Sequence, residues 1–252
     1  MSLTNIEKFI EAFRKVKAMG EIKSNRSGNT GIGKTLEDIM NVKENNLQTP
    51  DLYNFEIKSQ RGLSESYVTL FTKSPKPRGV NTQLRLKYGT FDEEFKDLKV
   101  LHTSIFYNRW NTHKSGYSFM VDIEEQSEKI FLRIKSLDTN IEENVSVNWD
   151  FKTLKTKLEK KLQNLAFVNA SSRKIDGIEY FNFKECMLYT GGLTLERFIK
   201  ALKDGLIMYD IRIGVYHNPL KRNYGKSHDH GSAFRIKKEN FLNLYDKELI
   251  IN

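Results

Sequence analysis

Periodic spacing of apolar residues predicts most of the regular structure of this chain. Apolar positions three and four apart indicate helices, and strict alternation of apolar and polar positions indicates strands. Helices are expected near residues 3–18, from Thr35 onward, near 150–164 and over 194–203. Strands are expected near residues 54–59, 67–72, 117–123, 129–135, 206–216 and 232–237. This mixture of helices and strands indicates an α/β fold.

The second helix is expected to follow a polar, glycine-rich loop at residues 24–33. Thr35 with Asp38 three residues later is a variant of the capping box that begins many helices. Glu37 would then lie in the first turn, where the helix dipole favours an acidic residue. The alternative is that Glu37 is an additional acidic group beside two further carboxylates, Asp51 and Glu56.

The chain is long enough for one sizeable core, and it carries a marked positive charge. Its 252 residues include 41 Lys and Arg against 32 Asp and Glu, which gives a formal charge of +9. Such a surplus binds phosphates and releases their counterions, so nucleic acid is the expected partner. Because no linker or repeat interrupts the sequence, one domain with two lobes around a cleft is the simplest organisation.

Cysteine content and hydropathy exclude several classes of protein. The single cysteine, Cys186, excludes an intrachain disulfide framework and a zinc site built from several cysteines. No segment resembles a secretory signal or a transmembrane span, because the apolar residues near the N-terminus are interleaved with charges. We therefore expect a soluble cytoplasmic protein with no membrane partner.

Residues 50–58 contain the sharpest candidate for chemistry. Glu56 and Lys58 lie two apart in a β-prone run, so they project from one face of a strand while their neighbours face a core. Asp51 has the wrong parity to join them on a regular strand. The chain must therefore turn or bulge near residues 53–54 if the two carboxylates are to meet.

Two carboxylates and one lysine suit metal-dependent cleavage of a phosphodiester. Mg²⁺ prefers oxygen ligands and takes one or two protein carboxylates with the substrate phosphate, a count that Asp51 and Glu56 satisfy. Lys58 could orient the attacking water and offset charge on the phosphate. The alternative is that Asp51 caps a turn while Glu56 and Lys58 form a solvated ion pair.

The segment from Gly28 to Thr35 matches the phosphate-binding P-loop pattern residue for residue. In a P-loop protein, a buried strand delivers these glycines to the helix that cradles the phosphates. Residues 21–27 do not read as a buried strand, and no later apolar run ending in Asp is available for the nucleotide's Mg²⁺. We expect no nucleotide cofactor, and we interpret the glycines as sites of a sharp turn or of close approach to DNA.

A second polar cluster follows from the alternation in the fifth predicted strand. Odd-numbered apolar positions face one side, so Asp210 and Arg212 share the other, and the returning strand adds Arg235. His228 and His230 lie in the connecting loop. Arg pairs with guanine and Asp accepts from cytosine, so these residues could read base edges. The alternatives are a surface ion pair between Asp210 and Arg212, and a metal site at the histidines.

Basic residues also occupy the loop at residues 73–79, directly after the second predicted strand. Two prolines stiffen this loop, and Lys73 and Arg78 within it could position a DNA backbone. The alternative is an ordinary solvated loop.

Taken in order along the chain, these motifs resemble the MvaI/BcnI family of type II restriction endonucleases, which is related to the mismatch-repair nicking enzyme MutH. The resemblance runs from about residue 28 to 237 and is loosest over residues 90–200. The segments that carry it are TGIGKTLED at 30–38, PDLYNFEIK at 50–58, LFTKSP at 70–75, DIRIG at 210–214 and HDHGSAFRI at 228–236.

The resemblance implies a PD-(D/E)xK, MutH-like nuclease fold with a mixed central sheet flanked by helices and a base-recognition lobe across a DNA-binding cleft. The catalytic lobe is expected mainly in residues 1–125 and the recognition lobe mainly in residues 170–252. The implied catalytic residues are Asp51 and Glu56 as Mg²⁺ ligands, Lys58 beside the water, and Glu37 in support. The implied major-groove residues are Asp210, Arg212, His228, His230 and Arg235.

The resemblance also implies how the protein acts. Family members work as monomers that cut one strand per binding event, at CC(A/T)GG in MvaI-like chains and CC(C/G)GG in BcnI-like chains. His230 follows the MvaI-like version, since BcnI-like chains have Arg there. The implied partners are double-stranded DNA and a cognate DNA methyltransferase that forms no stable complex with the nuclease. The alternatives are a MutH-like nickase of hemimethylated DNA and a sequence-specific DNA-binding protein without catalysis.

Overall fold

The computed structural model describes residues 3–28, 30–42, 49–62 and 65–251, and these ranges contain five α-helices and fourteen strands. The helices are α1 (Asn5–Ala18), α2 (Gly31–Ile39), α3 (Val80–Tyr88), α4 (Phe151–Lys161) and α5 (Leu195–Lys203). The strands are β1 (Glu21–Lys23), β2 (Glu56–Arg61), β3 (Val68–Thr72), β4 (Thr90–Phe91), β5 (Lys99–Ile105), β6 (Tyr117–Glu124), β7 (Lys129–Ser136), β8 (Asn148–Asp150), β9 (Leu165–Ile175), β10 (Ile178–Thr190), β11 (Ile207–Val215), β12 (Ser227–Asp229), β13 (Ala233–Ile236) and β14 (Lys247–Ile251). None of the described helices has the length and apolar character needed to cross a membrane.

Contacts divide the chain into two compact units, each built from separated segments. Unit 1 comprises Met1–Val68, Lys155–Arg197 and Lys238–Asn252, and unit 2 comprises Thr69–Leu154 and Phe198–Lys237. The units therefore interleave along the sequence, whereas the sequence analysis divided the chain into contiguous ranges. The assignment of catalysis and base recognition to separate lobes stays a prediction.

Unit 1 is built on a mixed sheet in the order β1-β10-β9-β2. β14 also pairs with β10, farther along that strand than β1 does. β2 runs parallel to β9, and the other pairs are antiparallel. α1 and α2 pack on this sheet through one apolar cluster, in which Phe9, Phe13 and Leu36 of the helices meet Phe55 and Phe181. Each such side chain stabilises the fold by about 1.5–3 kcal/mol when fully buried. This packing fixes β2, the strand that carries Glu56 and Lys58.

α2 begins at Gly31, four residues earlier than predicted. Thr35 is not its N-cap but lies fully buried inside the helix, where its Oγ1 accepts a hydrogen bond from the Asn25 backbone N–H at 2.9 Å. The first turn fits tightly against the preceding loop, because a Cβ at Gly31 would lie 2.2 Å from the Arg26 carbonyl oxygen. The capping-box interpretation of Thr35 was therefore wrong, and the glycine explains how the helix can start so close to the loop.

The other predicted helices and strands occur where the hydrophobic pattern places them, with shifts of a few residues at their ends. α4, for example, ends at Lys161 rather than near residue 164, although Leu162 is still fully buried. The loop expected between the last two predicted strands contains a further short strand, β12. The elements that the pattern did not predict are α3, β1, β4, β5, β8, β9, β10 and β14.

Unit 2 is built on a sheet in the order β3-β13-β11-β5-β4, in which β12 also pairs with β11, and on a smaller sheet in the order β6-β7-β8. In β11 every residue except Arg212 is buried. Trp149, Tyr209 and Phe234 form an aromatic cluster with ring centroids 4.4 to 5.4 Å apart. This packing fixes β11 and β13, the strands that carry Asp210, Arg212 and Arg235.

Candidate active site and base-reading cluster

A tight turn brings Asp51 beside β2, as the parity of the motif requires. Tyr53 and Asn54 have left-handed backbone conformations, with φ of 46° and 66°. Asn adopts this conformation readily, whereas at Tyr53 it costs about 1–2 kcal/mol. The Asp51 carboxylate accepts a hydrogen bond from the Ile57 backbone N–H at 2.8 Å. The predicted turn near residues 53–54 is therefore confirmed.

Glu56 is a buried carboxylate with two lysines beside it. It is 1% exposed, Lys58 Nζ lies 2.5 Å from Oε1, and Lys161 Nζ in the last turn of α4 lies 3.2 Å from Oε2. The two ammonium groups stabilise a negative charge that burial alone would disfavour. Oε2 nevertheless forms no hydrogen bond with the described residues, so it can accept a further ligand. The solvated ion pair considered from the sequence was wrong, because Glu56 is buried.

Asp51 and Glu56 lie close enough to repel each other. Burial and, next, the charge of Glu56 raise the pKa of Asp51 above its ordinary value, while the Ile57 N–H and the charges of Lys161 and Lys58 act in the opposite direction. A divalent cation bound by both carboxylates would relieve this repulsion. Two neighbouring carboxylates, one of which has an oxygen that accepts no hydrogen bond from the described residues, therefore fit a hard divalent cation.

Glu37 lies in the last turn of α2 and not in the first. The helix-dipole explanation for Glu37 was therefore wrong, because an acidic residue gains nothing from the dipole at a C-terminal end. With Lys58, Glu37 lines an open pocket of about 330 Å³ that Arg26 and Ser59 also border. Its supporting role in the metal site stays a prediction.

Lys161 and Tyr245 belong to the surroundings of Glu56, and neither was predicted from the sequence. Tyr245 is 4% exposed, and its hydroxyl forms no hydrogen bond with the described residues. Burial and, next, the charge of Glu56 raise its pKa. Both residues lie far along the chain from residues 50–58. Nothing in the lysine-rich sequence of α4 distinguishes Lys161 from its neighbours.

In unit 2, β11 and β13 bring Asp210, Arg212 and Arg235 together. Asp210 is 1% exposed, and Arg212 Nε donates a hydrogen bond to its Oδ2 at 2.6 Å. Arg235 Nε lies 2.8 Å from the same oxygen as an ion pair, and the Ser104 hydroxyl donates to Oδ1 at 3.0 Å. About half of the Arg212 side chain remains exposed. The sequence correctly placed Asp210 and Arg212 on one face, but the pair is not a solvated surface ion pair.

His228 and His230 form an aromatic cluster with Tyr216. The His228 ring stacks on Tyr216 with centroids 4.4 Å apart, and the edge of His230 meets His228 at 4.8 Å. The His230 backbone N–H donates to the Arg212 carbonyl at 2.7 Å, which places the histidines beside the arginine. Burial and, next, His228 lower the pKa of His230, so its neutral imidazole can both donate and accept a hydrogen bond. Among the described residues, no group of three histidine, cysteine or acidic side chains could hold a metal ion.

The loop after β3 is anchored through its backbone. The Lys73 carbonyl accepts hydrogen bonds from Trp149 Nε1 at 3.0 Å and from the Tyr209 hydroxyl at 3.1 Å. The Lys73 side chain is half-buried, and Arg78 is exposed. Contacts of these two side chains with DNA stay a prediction.

The glycine-rich segment does not follow a buried strand. β1 has three residues, of which Glu21 and Lys23 are exposed. Within the segment, Asn29 lies outside the described residues. The expectation that no buried strand precedes the glycines is therefore confirmed, while the expected lack of a nucleotide cofactor stays a prediction.

Comparison with protein families identifies the chain. The model of the MvaI/BcnI restriction endonuclease family matches residues 10–245. The chain belongs to this family. It is therefore a type II site-specific deoxyribonuclease, and family membership supports dependence on a divalent metal ion. The resemblance predicted from the sequence is confirmed.

Two solved structures of restriction endonuclease MvaI are similar to this chain. The complex with its cognate DNA substrate is 37% identical, with a TM-score of 0.91 and coverage of 100% of both chains. The structure in the absence of DNA is 36% identical, with a TM-score of 0.60 and the same coverage. No curated protein sequence matches the chain. The similarity confirms a mixed α/β fold with several sheets and few helices.

Proposed function

We propose that this deoxyribonuclease binds a short double-stranded DNA site and hydrolyses one phosphodiester bond with the help of Mg²⁺. The observation that carries the proposal is the buried carboxylate of Glu56, which lies beside Asp51 and has one oxygen without a hydrogen bond from the described residues. Asp51 and Glu56 hold the ion, and Glu37 supports the site. β2 and the turn before it thus serve as the core of a PD-(D/E)xK nuclease of the MutH type.

A metal ion held by Asp51 and Glu56 would lower the pKa of a bound water molecule and offset charge on the scissile phosphate. Lys58 donates hydrogen bonds to the attacking water or to the phosphate oxygens, where charge grows in the transition state. Its contact with Glu56 Oε1 at 2.5 Å holds the ammonium group beside the metal ligands. Positioning of this kind acts on the transition state without any covalent step by the protein.

Base recognition is assigned to unit 2. Asp210 is buried and both of its oxygens accept hydrogen bonds, so it orients Arg212 and Arg235. Arg212, which is half exposed, pairs with guanine in the major groove, a contact that discriminates by about 1–3 kcal/mol. His228 and His230 read neighbouring base edges, and Lys73 and Arg78 hold backbone phosphates.

The recognition sequence we propose is CC(A/T)GG, read by a monomer that cuts one strand per binding event. His230 supports this choice, because it follows the MvaI-like version of the HDHG segment, whereas BcnI-like chains have Arg there. A restriction system also needs a methyltransferase that protects host DNA, and we expect it to act separately.

The test uses purified protein and strand-labelled duplexes that contain CC(A/T)GG, CC(C/G)GG or neither, each with and without Mg²⁺. The proposal predicts cutting of CC(A/T)GG alone, only with Mg²⁺ and without ATP, with a nicked intermediate. Binding without cutting under every condition would favour the non-catalytic alternative. Cutting restricted to hemimethylated duplexes would favour a MutH-like nickase.

A further inference from the structure

A basic pocket lies in unit 1 where the glycine-rich loop meets the turn between β9 and β10. Its volume is about 610 Å³. Of the described residues that line it, four are cationic and one is acidic, which gives the lining a net charge of +3. The charged residues are Lys23, Arg26, Arg61, Lys174 and Glu179.

An ion pair between Arg61 and Glu179 fixes one wall of the pocket. The Arg61 guanidinium donates to both oxygens of Glu179 at 2.8 Å each, and it also donates to the Gly28 carbonyl at 3.2 Å. This two-pronged pair joins β2 to β10 and holds the glycine-rich loop against them. The hydrogen bonds from Arg61 lower the pKa of Glu179, so the carboxylate stays ionised and offsets the charge of Arg61.

Lys23, Arg26 and Lys174 supply the surplus of positive charge. They come from β1, from the loop before α2 and from the end of β9, and all three side chains are exposed. Long basic side chains from three separate segments around one concave surface suit a ligand with several negative charges.

The loop backbone is also accessible from the pocket. Gly28 has a left-handed conformation with φ of 81°, and no atom lies within 4 Å of the position that a Cβ would occupy. A phosphate can approach the chain closely at such a glycine. Two lining residues connect the pocket with the segment that matches the P-loop pattern: Ser27 precedes this segment, and Gly28 is its first residue.

The basic pocket continues towards the candidate active site. Arg26 lines both this pocket and the pocket that contains Glu37 and Lys58. DNA carries a phosphate at every nucleotide, so a strand held at Lys58 presents further phosphates to neighbouring cations. The alignment of this pocket with the candidate active site therefore favours DNA over other polyanions, which would not bind both pockets at once.

We propose that this pocket binds backbone phosphates of the DNA strand that is cut, outside the bases that are recognised. The inference rests on the proposed function and extends it, because it assigns a source of sequence-independent affinity that positions the strand. The glycine-rich segment matches the P-loop sequence pattern, but on this proposal it binds phosphates of DNA and not those of a nucleotide.

The experiment compares a triple variant, Lys23→Gln, Arg26→Gln and Lys174→Gln, with a control that changes the net charge equally. The control is Arg14→Gln, Lys15→Gln and Lys17→Gln on the exposed face of α1 in the same unit. Binding is measured by fluorescence anisotropy in EDTA over a range of KCl concentrations. The short duplex contains CC(A/T)GG with few flanking base pairs. The long duplex contains the same site with long flanking sequences on both sides.

In the pocket variant, the negative slope of log K against log[KCl] on the long duplex is expected to decrease in magnitude by about 2–3, since each phosphate contact contributes about 0.9. The short duplex should show little change, and the control should keep the wild-type slope on both duplexes. A charge-retaining variant, Lys23→Arg with Lys174→Arg, should also keep it, which separates lost charge from a folding defect.

Equal slopes for the wild type and the pocket variant would overturn the proposal, and so would an equal loss in the control. If ATP binds the wild type but not the pocket variant, while the pocket variant keeps the wild-type slope on the long duplex, the pocket takes nucleotide phosphates and the proposal is wrong. The assay contains no free divalent metal ion, so its result does not depend on cleavage. Failure of the wild type to cut DNA with Mg²⁺ would instead refute the proposed function.

Discussion

Glu56 in unit 1 and Asp210 in unit 2 have similar surroundings. Each carboxylate is 1% exposed and lies on a β-strand beside two cations. Lysines accompany Glu56, whereas arginines accompany Asp210. The two sites differ in how fully their hydrogen bonds are satisfied and in the shape of the cations.

Glu56 keeps one oxygen without a hydrogen bond from the described residues and has a second carboxylate, Asp51, nearby. Both oxygens of Asp210 accept hydrogen bonds, from Ser104 and Arg212. A lysine is a compact point charge that can yield to a metal ion, whereas arginine is a planar fork whose direction a carboxylate can fix. A buried carboxylate between cations thus supports either a site open to a metal ion or a scaffold that orients base-reading arginines.

The largest effect should come from removing the metal ligand or the lysine in unit 1. Asp51→Ala or Lys58→Ala should lower the single-turnover cleavage rate by about 100-fold or more, because charge stabilisation in the transition state is lost. Affinity for a duplex containing the site should stay close to the wild-type value. Undiminished cutting by either variant would overturn the assigned roles.

Asp210→Asn should impair recognition and not chemistry. The neutral amide leaves Arg212 and Arg235 without their shared anion, so the ratio of cognate to one-base-changed affinity should fall by about 10- to 100-fold, or 1–3 kcal/mol. The ratio is measured by anisotropy with the two duplexes. Asp204→Asn, which removes an exposed ion pair with Lys200, is the matched control and should leave the ratio unchanged. An unchanged ratio in a folded Asp210→Asn protein would contradict the scaffold role.

Lys161→Gln tests whether the lysine competes with the metal ion for Glu56. Removing an ammonium group 3.2 Å from Oε2 leaves the carboxylate pair more negative, so the Mg²⁺ concentration for half-maximal cleavage should fall several-fold. Lys160→Gln changes an exposed neighbour in the same turn and should not shift this concentration. A rise in the half-maximal concentration for Lys161→Gln would show that Lys161 supports metal binding instead.

The smallest expected effect is on the pH dependence of the free energy of unfolding. All five histidines belong to unit 2, so this dependence tests unit 2. Burial and, next, Lys114 lower the pKa of His113, so the unfolded chain takes up this proton first as the pH falls. The stability that His113 contributes is therefore present above about pH 6.5 and declines below it, by about 1 kcal/mol or less. Urea unfolding at pH 7.5 and 5.5 should show a smaller difference for His113→Gln than for the wild type. His217, whose pKa is raised by its hydrogen bond to Asp92, contributes with the opposite sign in both proteins.

The sequence predicted those parts of the site that depend on neighbouring residues. Strand parity placed Glu56 and Lys58 on one face and required the turn that Tyr53 and Asn54 make. Alternation likewise placed Asp210 and Arg212 together. In each case the deciding geometry is the two-residue period of a strand, which can be read directly from the sequence.

The remaining parts depend on contacts between distant segments. Lys161 and Ser104 reach the buried carboxylates from separate elements, and no local pattern marks them. β9 was missed because a continuous buried run at its start changes to exposed residues, without alternation. Thr35 matched a capping box, but burial of its side chain against the preceding loop decided its role. Such choices follow from tertiary packing, which local propensity does not contain.

The most direct test of the account is incubation of the purified protein with plasmid DNA, with and without Mg²⁺, followed by sequencing of all fragment ends. We predict discrete ends at CC(A/T)GG that appear only with Mg²⁺. Discrete ends at another sequence would retain the catalytic assignment but contradict the interpretation of His230. DNA that remains intact with Mg²⁺ but is bound would contradict the central claim that Asp51, Glu56 and Lys58 form a nuclease site.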